Sequence, residues 1–108
     1  MIQVRHAEGV SIVEVWHGLD EADADLFRHE CGSLLIEPCP VLVHFIGCTV
    51  APAAEDAVLR LCRMAEAIHA KLRVVATRSQ LSDGMLAALG PLVIPSEAEA
   101  IGKLQAAA

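Results

Sequence analysis

The sequence predicts an α/β fold, a mixed and mostly parallel five-stranded sheet carrying four helices. Three observations lead there. Short β-branched runs alternate with stretches of helical periodicity along the whole chain, the pattern that lays helices on a parallel sheet. The strand-like runs are apolar on both faces, as strands covered on both sides must be, and "VLVHFIGC" is the most continuous of them. The first two runs, "IQVRHA" and "VSIVEVWH", are split only by Glu8 and Gly9, which leaves room for a hairpin turn and none for a crossover helix.

Each element follows from its own residues. In the second run Val10, Ile12 and Trp16 fall on one face, and Val13 and Val15 on the other. "LDEADADLFRHECGSLLIEPCP" then changes period. Asp20 stands where an N-cap belongs, acids at 21, 23 and 25 suit the positive end of a helix dipole, and Ala24, Phe27, Cys31, Leu34 and Leu35 keep helical spacing. Pro38 and Pro40 close the segment. After the central strand a second helix is expected from about Pro52 to Ala70, with Ala54, Val58, Leu61, Ala65 and Ile68 on its inner face and Arg63 and Glu66 outside. Proline suits a first helical turn because its missing N–H would have no partner there. "KLRVVAT" reads as a strand, "SQLSDGMLAALG" as a short helix ended by Gly90, "PLVIP" as a strand, and "SEAEAIGKLQ" as a last helix capped by Ser96.

With 108 residues, 55% of them hydrophobic and 20% charged, the chain is expected to be one domain, 1–108, with a true core. Two Phe, one Trp and no Tyr leave no aromatic platform for stacked bases. A formal charge of −6 opposes binding to nucleic acid and to an anionic membrane. No basic stretch followed by a long apolar run opens the sequence, and no run suggests membrane insertion. Cys31, Cys39, Cys48 and Cys62 contain no C-x-x-C spacing, so the expectation is reduced thiols in a cytoplasmic protein.

The candidate chemistries are thin. His44 and Cys48 share a strand face if both lie in the strand, but no zinc spacing occurs and four converging ligands are not in sight. Cys48 near a helix start faces the opposing charge of Glu55 and Asp56, which disfavours a thiolate. G-x-S-x-G, G-x-G-x-x-G and the P-loop pattern are all absent. The expectation is a non-enzyme without catalytic residue, metal or cofactor, since a compact acidic domain lacking a catalytic constellation is more often a binding or regulatory module.

The order of elements and several strings resemble the STAS family, the sulfate transporter and anti-sigma factor antagonist domains. "HGLDEADADL" places Leu19 and Asp20 where that family has its "G-x-LD" string, although Gly18 here directly precedes Leu19. "VHFIGCTVAPAAEDAVLRL" matches the family's strand, glycine and helix through Gly47, Thr49, Val58, Leu59 and Leu61. "VIPSEAEAI" is similar to its terminal strand and "S-x-x-E-A" helix. The resemblance implies a SpoIIAA-like fold and a bacterial regulator of transcription or signalling, whose partner is an anti-sigma factor or kinase-like protein. A homodimer stays open. It also implies a contact surface at Asp20, Thr49, Pro52, Ala53, Ala54, Glu55 and Asp56. In the family a serine at the start of the second helix is phosphorylated. Here the "DSSG" positions are Pro52, Ala53, Ala54 and Glu55, so the lost phosphorylation site falls on Ala53 and Ala54. The alanines would leave the domain permanently able to bind, or Glu55 and Asp56 would imitate the modified state; the first is preferred. Alternative readings are a STAS subunit of a transporter or larger signalling complex, and a small-ligand or thiol sensor.

Overall fold

The computed structural model describes residues 2–16, 21–37, 39–47, 50, 52–77 and 79–106, without the side chains of residues 21 and 52–54. Its elements are β1 (Ile2–Ala7), β2 (Val10–Trp16), α1 (Glu21–Leu35), β3 (Val41–Ile46), α2 (Pro52–Ala67), β4 (Leu72–Val75), α3 (Asp83–Leu89), β5 (Val93–Ile94) and α4 (Glu97–Ala106). They form a five-stranded sheet in the order β1-β2-β3-β4-β5. Only the β1–β2 pair is antiparallel; β2 to β5 run parallel. The predicted α/β class and the sequence of elements both hold.

The hairpin turn has positive φ at both central residues, 53° at Glu8 and 78° at Gly9. That conformation matches the twist of the strands it joins and favours glycine at the second position. Because each later strand is added beside the one before it, right-handed crossovers bring α1, α2 and α3 to the same face. Phe27 and Cys31 of α1, Val58 and Leu61 of α2 and Met85 and Leu89 of α3 pack there on Val13, Val15, Val43 and Val74. The α4 helix lies on the other face, where Ala100, Ile101 and Leu104 cover Val10, Ile12, Leu42 and Val75. The strand β3 is central and buried on both faces, as its continuous apolar run requires.

Four boundaries differ from expectation. Of "KLRVVAT" only Leu72–Val75 is strand. α2 stops at Ala67 rather than Ala70, because His69 adopts φ 58° and turns the chain, with Ala70 N–H donating to the Ala65 carbonyl. Ile68, expected inside, is consequently 47% exposed. The string "SQLSDGMLAALG" is helical only from Asp83, since Ser82 caps the helix through its bond from the Met85 N–H, and residues 79–81 remain a loop. "PLVIP" forms strand only at Val93–Ile94; Gly90–Leu92 is a 3-10 turn, where Pro91 has no N–H to give a ladder. The expected cap Asp20 lies outside the described residues.

Candidate functional site

In a parallel sheet every strand is followed by its helix at the same edge, so the starts of all four helices gather at the carboxyl end of the strands. The β3–α2 junction sits centrally there. β3 ends at Ile46, and Gly47 follows at φ 61°, a left-handed conformation that a Cβ would strain. Thr49 lies outside the described residues; Val50 is buried. Pro52 opens α2 as expected, and Ala53, Ala54, Glu55 and Asp56 complete its first turns.

The loop between β4 and α3 holds this junction in place, a role the sequence reading did not assign. Val50 N–H donates to the Gln80 carbonyl at 3.1 Å. The Gln80 side chain returns the contact, donating from Nε2 to the Phe45 carbonyl at 2.9 Å and accepting from Thr77 N–H through Oε1 at 2.8 Å. Ser82 Oγ then donates to Glu55 Oε2 at 2.5 Å while accepting from Met85 N–H at 3.2 Å. One side chain thus caps α3 and ties it to the first turn of α2. A polar cap residue directly before a helical run was the available signal, the same one that marked Ser96.

Neither acid at the start of α2 stands alone. Glu55 is taken by Ser82, and Asp56 Oδ2 lies 2.9 Å from Arg60 Nε one helical turn on. Across a groove of about 400 Å³, α1 presents a matching pair, Asp25 with Arg28. The groove between the starts of α1 and α2 is therefore lined by two internally neutralised ion pairs and small alanines. Arg63 and Glu66 are exposed further along α2, as expected.

The other candidate groups lie elsewhere. His44, considered as a metal ligand with Cys48, faces α4 and meets Glu97 Oε1 through Nδ1 at 3.2 Å; Cys48 is outside the described residues. Arg5 also pairs with Glu97 and reaches Glu14 Oε2 from Nε at 3.3 Å. Burial pushes the Glu97 carboxyl up, but the hydrogen bonds from Arg5 and His44 outweigh it and hold it below the usual range. The hydrogen bond to Glu97 in turn raises Arg5, against the effect of burial. Among the described residues no group of three or more His, Cys, Asp or Glu is placed to hold a metal. Burial, with smaller contributions from Glu30 and Cys62, pushes the Cys31 thiol up to about 12, and burial pushes Cys62 to about 11.

This arrangement has counterparts among solved structures. An anti-sigma factor antagonist from Mycobacterium paratuberculosis superposes with a TM-score of 0.74 at 16% identity, over 97% of this chain and 93% of that one. The anti-sigma factor antagonist SpoIIAA in its unphosphorylated form gives 0.69 at 16% identity, over 97% and 98% of the two chains. The chain has the STAS-domain fold. SLC26A9 matches at 0.71 and 20% identity over 93% of this chain, which spans only 20% of that protein's length. No protein-family model matches the sequence, and no curated protein does. The STAS likeness is thus one of backbone architecture. Among the described residues no helix is long and apolar enough to cross a membrane.

Proposed function

We propose that this single STAS-type domain is a non-catalytic regulatory module that binds a protein partner through the β3–α2 junction. Its role is that of an anti-sigma factor antagonist, its partner an anti-sigma factor or kinase-like protein, and its setting the bacterial cytoplasm. The observation that carries this reading is the junction itself. Pro52, Ala53 and Ala54 open α2 beside a β4–α3 loop that holds Glu55 through Ser82. With alanine at both family serine positions there is no hydroxyl to modify. With Glu55 bonded to Ser82 and Asp56 to Arg60, neither carboxylate is a free stand-in for a phosphate dianion. Both points support permanent binding competence over imitation of the modified state.

The contact surface would comprise Asp20, Thr49 and Pro52 to Asp56, and the exposed Arg63 and Glu66 would extend it. The test is capture from the source cell with the wild-type chain beside Asp20→Ala and Ala54→Glu variants. The expected result is an anti-sigma-class protein retained by the wild type and lost with Ala54→Glu; retention by both variants removes this surface. Incubation with that kinase and ATP should leave residues 49–56 unphosphorylated.

A second reading is favoured by the likeness to SLC26A9, of which the chain would correspond to one part. Here the domain would serve a transporter or larger complex, and the captured partner would be a membrane protein. The thiol-sensor reading is weakened for Cys31 and Cys62, whose burial keeps both thiols protonated at neutral pH.

A further inference from the structure

We propose that the cleft between α2 and α3 binds a small amphipathic carboxylate, an alkyl chain ending in a single acid group, with Arg73 receiving the acid. The proposal stands apart from the partner reading, because none of residues 49–56 lines this cleft.

The cleft forms where the sheet runs out. β5 pairs with β4 only at Val74 and Val75, so beside Leu72 and Arg73 the edge of β4 has no strand neighbour among the described residues. A cleft of about 600 Å³ opens there, between the later turns of α2 and the turn that follows α3. Leu59, Leu72, Leu89, Pro91 and Leu92 give it apolar walls, and no aromatic side chain lines it. Small-molecule sites span ~300–1,000 Å³, and walls of this kind suit an aliphatic chain.

The polar end comes from Arg73. Val41 N–H donates to the Lys71 carbonyl, so that carbonyl faces β3. Carbonyls alternate in direction along a strand, which turns the Leu72 carbonyl to the open edge. Arg73 Nη1 donates to it at 2.8 Å and so holds the guanidinium at the lip of the cleft. Arg73 Nε is shielded from water and has no hydrogen-bond partner among the described residues. A buried donor left unpaired is unfavourable, and a guanidinium is a fork that a carboxylate grips through two parallel bonds. With Nη1 engaged, the edge formed by Nε and Nη2 is the one left to do so.

The charges agree. Arg63 and Glu66 complete the rim, so two arginines face one glutamate in a chain of formal charge −6. Three other grooves lined by described residues lack this excess, with histidine counted neutral. One sets Asp25 and Asp56 against Arg28 and Arg60, another sets Glu37 against Lys71, and the third holds Asp83 alone. One unpaired donor edge beside apolar walls matches one carboxylate on an alkyl chain. A polyphosphate needs several clustered basic groups.

Titration calorimetry of the full chain with decanoate, below its micelle-forming concentration, tests this. A single site is expected, with decanol at least about tenfold weaker because it lacks the charge. Arg73→Met keeps an unbranched stem and should weaken decanoate about tenfold or more while leaving decanol unchanged. Ala88→Trp, at an exposed position on the cleft wall, should block both ligands, and it keeps the test decisive if Arg73→Met does not fold. Cys62, half-buried in the same wall, reports the location: saturating decanoate should slow its labelling by a maleimide and leave the exposed Cys39 unaffected. No binding up to about 1 mM, equal binding of decanol and decanoate, or unchanged affinity in either variant that folds overturns the proposal.

Discussion

The Arg5–Glu14–Glu97–His44 network offers the most quantitative test of how this fold is held together. It joins β1, β2 and β3 to the first turn of α4, the only helix on its face among the described elements. Glu97→Gln keeps the shape of the side chain and an oxygen for His44, and Arg5 retains Glu14. What disappears is the charge in two hydrogen bonds. A buried charge-assisted bond contributes ~1.5–3 kcal/mol and a surface pair ~0–1. Side-chain exposures of 37% for Arg5 and 28% for Glu97 put this pair between those limits, with solvent screening much of it. Adding the loss of a negative charge in a first helical turn, the variant should be destabilised by about 1–1.5 kcal/mol at pH 7. The pH dependence is the sharper part. The Glu97 carboxyl is held below its ordinary value in the folded state. Its contribution is therefore complete above the unfolded value of about 4.3 and is lost as pH falls through the folded value. Urea titrations of both proteins should show their stability gap narrowing progressively from about pH 4 downward. A gap as wide at pH 3 as at pH 7, or one that widens in acid, would refute an ionised Glu97 as the source.

Three further outcomes are expected. Phe27→Ala removes a fully buried ring at the α1–sheet contact and should cost ~3–5 kcal/mol, read as a lower urea midpoint with an unchanged slope. His69→Gly relieves a left-handed residue at the end of α2 and should stabilise the protein by about 0.5–1 kcal/mol, raising the thermal midpoint by a few degrees. A maleimide at pH 8 should label the exposed Cys39 within minutes while Cys31 reacts only after denaturant is added; rapid native labelling of Cys31 would contradict its burial.

What could be read from the sequence followed from local patterns, and what could not depended on contacts between distant segments. The run from Val41 to Ile46 declares a central strand because its residues are apolar on both faces, His44 alone excepted. Pro52 and the spacing of Val58, Leu61 and Ala65 declare the helix that follows. The end of α2 was hidden because His69, not glycine, takes the left-handed position, and histidine does not announce one. Gln80 and Ser82 were hidden for a different reason. Their partners, Phe45, Val50 and Glu55, lie some thirty residues earlier in the chain, and no periodicity links the two segments. Of the expected surface, Asp20 and Thr49 lie outside the described residues, so the structure adds detail only to its α2 half.

The order of the strands in the sheet repeats their order in the chain. Each strand pair is therefore closed by a single turn or by a single helix with its loops, and no pair waits for a distant partner. Closure entropy grows only slowly with loop length, so each successive addition carries a similar cost. A topology of this kind has a low contact order for a parallel sheet, which favours fast folding. It also allows folding to proceed in one direction during synthesis. The β1–β2 hairpin, α1 and β3 can assemble while the later helices are still being made. The α4 helix then arrives last, onto a face of the sheet whose residues are already in place.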